Sequence, residues 1–173
     1  MKWEDYKKYI ISTGTIVRCD VTPLFENPKM FHSLVRDLTK GFNKKDFDKV
    51  IALDALGFVL GSAIAYKFKK PLVLVRKTGK LPYKKNKLVR REFIDYTKKK
   101  KGFEMKKDSI KRGDKILIVD EWIDTGTQIE NAIKLVEKLG GKIIGIASIS
   151  VKENDLIKKL SEKYPIKAIR VKK

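Results

Sequence analysis

The residues best suited to chemistry lie in one stretch, residues 116–128, where an acidic pair precedes a turn of small polar residues. Asp120 and Glu121 follow four apolar residues, and residues 124–128 (Asp-Thr-Gly-Thr-Gln) lead into a helical pattern. Two carboxylates can bind sugar hydroxyls or a hydrated metal, and the free amides at a helix N-terminus can hold a phosphate. Together these groups favour a sugar phosphate as the ligand.

A purely structural interpretation of the same residues is also open. Thr127 and Glu130 have the spacing of a capping box, in which they would satisfy the unpaired amides of their own helix. The acidic pair could then be a solvated strand end. Short motifs of this kind often arise by chance, so the surrounding elements decide between the two interpretations.

The elements that must position these residues alternate between strand and helix. Apolar runs predict strands at residues 49–53, 71–75, 115–119, 142–151 and 166–171, and helical patterns fall at residues 28–42, 57–68, 128–139 and 155–163. This alternation predicts an α/β fold, in which a central, mostly parallel sheet is flanked by helices. Such sheets bind ligands at the carboxyl ends of their strands, where the acidic pair and the turn lie. We expect residues 1–173 to form a single domain.

The chain is strongly basic, with 41 Lys and Arg residues against 21 Asp and Glu and a net charge of +20. Residues 76–115 hold 17 basic and five acidic residues, a net charge of +12. This basic block could bind nucleic acid, an anionic lipid surface or a polyphosphate, or it could be solvated lysine. No apolar run approaches the ~20 residues that span a bilayer. The single cysteine, Cys19, excludes an internal disulfide, and we expect a cytoplasmic protein.

Four segments of the chain carry distinctive patterns. They are residues 20–24 (Asp-Val-Thr-Pro-Leu), 54–61 (Asp-Ala-Leu-Gly-Phe-Val-Leu-Gly), 75–82 (Val-Arg-Lys-Thr-Gly-Lys-Leu-Pro) and 119–128 (Val-Asp-Glu-Trp-Ile-Asp-Thr-Gly-Thr-Gln). In this order and at this spacing they resemble the type I phosphoribosyltransferases, most closely the adenine branch, over about residues 17–149. The Arg-Lys-x-x-Lys-Leu-Pro pattern of the third segment is quite specific to that branch.

The resemblance implies a purine phosphoribosyltransferase of purine salvage, which converts adenine and phosphoribosyl pyrophosphate to AMP and pyrophosphate. It implies the type I phosphoribosyltransferase fold, a homodimer, and magnesium that is carried by the substrate rather than held in a protein cage. Residues 83–112 would form a mobile hood that closes over the site and excludes water.

The resemblance also implies roles for four groups of site residues. Backbone amides of a first loop would hold the pyrophosphate, and three cations would neutralise the charge that develops on it. Asp120 and Glu121 would bind the ribose hydroxyls and, through water, the magnesium, while the small-residue turn would hold the 5′-phosphate. The first loop comprises Ala55, Leu56 and Gly57, the cations are Arg76, Lys77 and Lys80, and the turn comprises Asp124, Thr125, Gly126, Thr127 and Gln128.

Two acids are alternatives for the catalytic base. Asp124 stands where the hypoxanthine-guanine branch has an Asp-Thr-Gly whose aspartate faces the purine. Asp95 resembles the mobile-loop acid of the adenine branch. We favour Asp124 because its position is fixed by the turn. A hypoxanthine- or guanine-specific enzyme is therefore an alternative that rests on Asp124.

Several residues depart from the adenine branch. Gln128 replaces a phosphate-binding threonine, Leu56 replaces the arginine of the first loop, and Arg18 with Cys19 occupies the place of the usual stacking aromatic. Trp122 could stack on the base in its stead, or it could be a core aromatic. These departures leave the accepted base open. With the basic block they also leave a second hypothesis, a non-catalytic phosphoribosyl pyrophosphate-binding regulator that binds nucleic acid.

Overall fold

A sheet of seven strands forms the centre of the computed structural model, which describes residues 1–12, 19–94 and 100–172. The strands in these ranges are β1 (Lys49–Leu53), β2 (Leu72–Lys77), β3 (Leu88–Ile94), β4 (Lys100–Lys106), β5 (Lys115–Ile123), β6 (Lys142–Lys152) and β7 (Ile166–Lys172). The helices are α1 (Trp3–Lys7), α2 (Thr22–Glu26), α3 (Pro28–Leu38), α4 (Gly57–Phe68), α5 (Thr127–Lys138) and α6 (Asp155–Lys163). None of these helices is both long and apolar enough to cross a bilayer.

The sheet has the order β3-β4-β2-β1-β5-β6-β7. Strands β2, β1, β5, β6 and β7 pair in parallel, whereas β4 pairs antiparallel with both β2 and β3. Residues 50–53 of β1 and 116–119 of β5 are fully buried, as expected for central parallel strands that helices cover on both faces. The predicted α/β fold with a mostly parallel sheet is therefore confirmed.

Each face of the sheet carries its own hydrophobic core. Helices α5 and α6 cover one face, where Ile129 and Leu160 pack near Ile118 of β5. Helices α3 and α4 cover the other face, where Leu34 and Ile64 belong to the core that contains the opposite side of β5. Alternate residues of β5 thus anchor the two layers, which fixes the strand that carries the acidic pair.

Local sequence signals explain where helix α3 begins. Pro28 occupies the first position of α3, and the Asn27 side chain accepts a hydrogen bond from the Met30 amide at 3.1 Å. This helix ends at Leu38, four residues before the predicted end at residue 42.

Helix α4 lies close to β1 because Gly61 has no side chain, and a Cβ there would come within 2.5 Å of the Ala52 Cβ.

The basic residues 83–112 contain the two antiparallel strands that extend the sheet beyond β2. Strand β4 joins β2 through the pairs Arg76–Glu104 and Lys77–Phe103, and Val89 and Phe103 are buried in the core below. No strand was predicted here, because Lys and Arg make up 13 of these 30 residues and interrupt the apolar ones. The mobility of this hood and the single-domain organisation stay predictions.

A buried carboxylate fixes the hairpin to the segment that follows β2. The Glu104 side chain is 0% exposed, and it accepts hydrogen bonds from Arg90 Nε at 2.8 Å and from the Leu81 amide at 2.9 Å. Glu104 therefore connects β3, β4 and the turn that carries Lys80.

Replacement of Glu104 by alanine is expected to destabilise the protein. Without the carboxylate, Arg90 loses its partner and the Leu81 amide is left unsatisfied. We expect the free energy of unfolding to fall by about 2–3 kcal/mol. This is less than for a fully buried pair, because Arg90 is itself 31% exposed. The control is Glu92→Ala on the same hairpin, which breaks the exposed Glu92–Lys100 pair and should cost at most about 1 kcal/mol. Urea denaturation measures both, and equal losses in the two variants would contradict this assignment.

The same carboxylate is expected to make stability depend on pH. Burial favours a raised pKa, but hydrogen bonds from the Leu81 and Gly79 amides and from Arg90 outweigh it and hold the pKa of Glu104 below its ordinary value. Such a group stabilises the fold above its unfolded pKa, about 4.3, and this stabilisation is lost as the pH falls through the folded pKa. Below about pH 4.3, the free energy of unfolding should fall more steeply in the wild type than in Glu104→Gln. Parallel curves from urea titrations would refute this.

Candidate active site

Three loops that carry predicted site residues meet at one edge of the sheet. Strand β1 is flanked by β2 and β5, and the three strands run in the same direction. Their carboxyl ends therefore place residues 54–57, residues 77–80 and residues 124–126 side by side.

The first loop lies directly against the acidic pair. The peptide bond between Asp54 and Ala55 is cis, and α4 begins at Gly57. A Cβ on Gly57 would lie 3.1 Å from both Asp120 Oδ1 and the Val119 carbonyl oxygen. Any side chain at position 57 would press on the Asp120 carboxylate, so glycine permits this close approach.

Two of the three predicted cations are held by Asp54. Arg76 Nε lies 3.1 Å from Asp54 Oδ2, and Lys77 Nζ lies 3.8 Å from Asp54 Oδ1. The Arg76 guanidinium also lies over the Phe58 ring, 5.7 Å from its centroid. The third cation, Lys80, is exposed in the turn after β2, where Gly79 has a φ of +86°. The structure thus brings Arg76 and Lys77 to the start of the first loop.

The acidic pair lies within β5, although sequence analysis placed it after the strand. The strand continues to Ile123 because the ladder to β6 extends past the acids, with Asp120 opposite Ser148 and Trp122 opposite Ser150. The Ser148 hydroxyl donates to the Glu121 carbonyl at 3.1 Å. Both acids are therefore held by backbone pairing.

The two carboxylates differ in their surroundings. Asp120 is 6% exposed, and its Oδ1 accepts the Glu121 amide at 3.0 Å. Burial raises the pKa of Asp120 well above its ordinary value, the Glu121 charge raises it further, and nearby Lys77 opposes the shift. Glu121 is only half-buried. A ligand hydroxyl or a cation at this edge would favour the ionised form of Asp120.

The alternation of side chains along β5 changes phase beside the acids. Leu117 and Val119 face the core under α3 and α4, and Ile118 faces the core under α5. By strict alternation Trp122 would share the face of Ile118, yet it packs against the α3–α4 core, and Ile123 packs on the other side. Trp122 is half-buried there, so its ring is both a core contact and partly accessible at the site edge.

The small-residue turn leads into α5 without the capping box that the structural interpretation of its sequence required. Gly126, with a φ of +82°, is the residue before the helix, and no side chain caps it. Thr127 is the first helical residue rather than the cap, and the Thr125 hydroxyl accepts its amide at 3.4 Å. Within the described chain, the amides of Gln128 and Ile129 have no hydrogen-bond partner. These amides point out of the helix N-terminus, where an anion is stabilised.

Asp124 is held by two residues that sequence analysis did not single out. Lys152 Nζ, at the end of β6, lies 3.6 Å from Asp124 Oδ1, and Asn154 Nδ2 donates to the Asp124 carbonyl at 3.0 Å. Asn154 also caps α6 by accepting the Ile157 amide at 3.0 Å. The only sequence signal for Asn154 was its place before a helix, and nothing marked Lys152.

Two residues of the base-recognition hypothesis lie outside the described residues. They are Asp95, the alternative catalytic acid, and Arg18. Cys19 is half-buried with a free thiol. Among the predicted site residues, the structure brings together the first loop, Arg76, Lys77 and Asp120.

Known proteins share both the sequence and the fold. The phosphoribosyl transferase domain family matches residues 21–171. The adenine phosphoribosyltransferase of Thermotoga sp. (strain RQ2) is 38% identical over 157 residues, which are 90% of this chain and 89% of that protein.

Two crystal structures agree with these matches. That of adenine phosphoribosyltransferase from Rhodothermus marinus is 27% identical, with a TM-score of 0.85 over 98% of this chain and 97% of that one. That of the Saccharomyces cerevisiae enzyme, complexed with adenine and an imino-altritol bisphosphate, is 26% identical, with a TM-score of 0.80 over 96% and 97%. The first loop, the acidic pair and the helix N-terminus occur at one edge of this same fold. The chain therefore belongs to the phosphoribosyltransferase family and has the type I phosphoribosyltransferase fold.

Proposed function

We propose that this chain transfers the phosphoribosyl group from phosphoribosyl pyrophosphate to adenine and releases AMP and pyrophosphate. The observation that carries the proposal is the close approach of Gly57 to Asp120, which brings the first loop beside a pair of carboxylates. In this position the loop would bind pyrophosphate. Relatives at 38% identity that are named adenine phosphoribosyltransferase support adenine as the base. The reaction belongs to purine salvage.

The cations beside the first loop suit the departure of pyrophosphate. The bond between ribose C1 and a pyrophosphate oxygen breaks, leaving positive charge on the ribose ring and negative charge on the leaving group. Arg76 and Lys77 now pair with Asp54, and they would exchange this partner for pyrophosphate oxygens as the charge develops. Lys80 and the amides of residues 55–57 complete this part of the site.

Asp120 and Glu121 suit the ribose hydroxyls and magnesium. A buried carboxyl beside a half-exposed one offers oxygen ligands for Mg²⁺, which retains waters and substrate oxygens in such sites. The magnesium would screen the pyrophosphate charge while bound with the substrate. Asp120 would gain a partner for its ionised form, which burial disfavours in the free protein.

The turn and first residues of α5 suit the 5′-phosphate. The Gln128 and Ile129 amides have no partner in the described ranges, and the helix adds positive potential at this end. Gln128 retains a backbone donor, although it lacks the hydroxyl of the threonine that it replaces. This supports phosphate binding by residues 124–128.

Asp124 is our preferred general base, with Asp95 as the alternative. The base nitrogen attacks ribose C1 and loses its proton to this carboxylate. The Asn154 hydrogen bond fixes the Asp124 backbone, and Lys152 draws the carboxylate towards β6 rather than towards the phosphate. Because of Asp124, hypoxanthine or guanine remains the alternative to adenine as the accepted base.

Three further expectations belong to this proposal. A homodimer is supported by Val59 and Tyr66 on α4 and by Leu74 on β2, which are exposed apolar residues. We also expect a cytoplasmic location and closure of the 83–112 hood over the site.

Nucleic-acid binding by the basic block is the alternative function, and a steep salt dependence of such binding would support it.

The first experiment measures pyrophosphate release with magnesium, phosphoribosyl pyrophosphate and a panel of free bases. We expect turnover with adenine that exceeds turnover with hypoxanthine and guanine. A preference for hypoxanthine or guanine would transfer the assignment to the other purine branch. No turnover with any base, together with tight phosphoribosyl pyrophosphate binding by calorimetry, would indicate a regulator instead of an enzyme.

Replacement of Asp124 by asparagine tests the general base. We expect kcat with adenine to fall by about 100-fold, because the amide cannot accept the proton. The control is Asp155→Asn, which removes an exposed acid of the first turn of α6 and should leave kcat unchanged. Full activity in Asp124→Asn would assign the role to Asp95.

A further inference from the structure

A cation from β3, Arg91, contacts the first turn of helix α5, which follows the small-residue turn. Arg91 Nε donates to Asn131 Oδ1 at 2.5 Å, and Asn131 Nδ2 donates to the Thr127 carbonyl at 2.8 Å. Asn131 is 4% exposed, so its amide is fixed between the two partners. Side chains of a helix lean towards its N-terminus, and the guanidinium is therefore held against the first turn of α5.

Among residues 1–12, 19–94 and 100–172, Asn131 is the one partner of the Arg91 side chain, and Arg91 is exposed. A guanidinium has five N–H donors and stays ionised, and the described residues use only its Nε–H. The remaining N–H groups match the oxygens of a phosphate, which arginine binds through a bidentate fork.

A phosphate bound at the small-residue turn would gain from an additional cation. The Gln128 side chain has no hydroxyl to donate, and Asp124 adds a carboxylate next to the turn. Lys152 lies 3.6 Å from the Asp124 carboxylate and offsets its charge, yet that pairing gives a phosphate no further donor. Arg91 supplies both charge and donors from another element.

We propose that Arg91, positioned by Asn131, is a further 5′-phosphate-binding residue. The proposal rests on the function proposed above. Because Arg91 belongs to β3 and the turn leads into α5, a bound phosphate would also join the β3–β4 hairpin to α5. Asn131 is a positioning residue, since it acts through Arg91.

Calorimetry with two partial ligands tests the proposal. Ribose 5-phosphate carries only the 5′-phosphate, and pyrophosphate represents the opposite end of the substrate. We expect Arg91→Gln to weaken ribose 5-phosphate binding by about tenfold or more, as loss of a charge-assisted hydrogen bond predicts. Pyrophosphate affinity should change by less than about twofold, because its ligands are on the other loops.

Two further variants separate local binding from other effects. Lys138→Gln removes one exposed charge from the far end of α5 and should leave both affinities unchanged, which controls for the net charge. Arg91→Lys keeps a point charge without the fork, so it should retain part of the ribose 5-phosphate affinity. Urea denaturation of each variant shows that the fold is intact.

The outcomes that would overturn the proposal are distinct from failure of the enzyme assignment. Unchanged ribose 5-phosphate affinity in Arg91→Gln, or an equal loss for both ligands, overturns the role of Arg91 even if adenine turnover is normal. Absence of turnover in the wild type, with a selective loss of ribose 5-phosphate binding in Arg91→Gln, overturns the enzyme assignment and supports the role of Arg91.

Discussion

The close approach of Gly57 to Asp120 is the constraint on which the rest of the site depends. It requires α4 to begin directly after a sharp turn at the end of β1, and it requires β5 to lie beside β1 in parallel register. Gly61 repeats the device one turn later, where α4 meets Ala52. The two glycines thus bring the loop before α4 against a buried carboxylate, and the sugar-phosphate site that we propose rests on that proximity.

Several charged side chains at this edge of the sheet are paired before any ligand binds. Asp54 pairs with Arg76 and Lys77, Lys152 pairs with Asp124, and burial raises the pKa of Asp120. Each pair leaves its cation partly exposed at the edge of the sheet, where an anionic ligand could reach it. The arrangement is therefore prepared for a ligand that brings both phosphates and a divalent cation, and it avoids unpaired buried charge in their absence.

The strands β3 and β4 convert a very basic segment into part of the fold. Their apolar residues Val89 and Phe103 enter the core, while their Lys and Arg residues remain at the surface. Glu104 fixes the hairpin to the Lys80 turn, and Arg91 fixes it to α5. The hairpin therefore contacts both the segment that carries Lys80 and helix α5, the two elements to which we assign the pyrophosphate and the 5′-phosphate of the substrate.

The sequence by itself determined the α/β architecture and most helix and strand bounds, because buried apolar runs and small-residue turns are local signals. The roles of the predicted site residues stay predictions. The sequence did not determine the β3–β4 hairpin, whose pairing is long-range and whose apolar residues are masked by lysines. It also misplaced the end of β5, which the ladder to β6 extends, and it left open a capping box at Thr127, which the left-handed Gly126 before the helix excludes. Lys152 and Asn154 contact Asp124 of the small-residue turn, and Arg91 contacts Asn131 of α5. These contacts join residues at least 28 positions apart, so only the tertiary structure could bring them together.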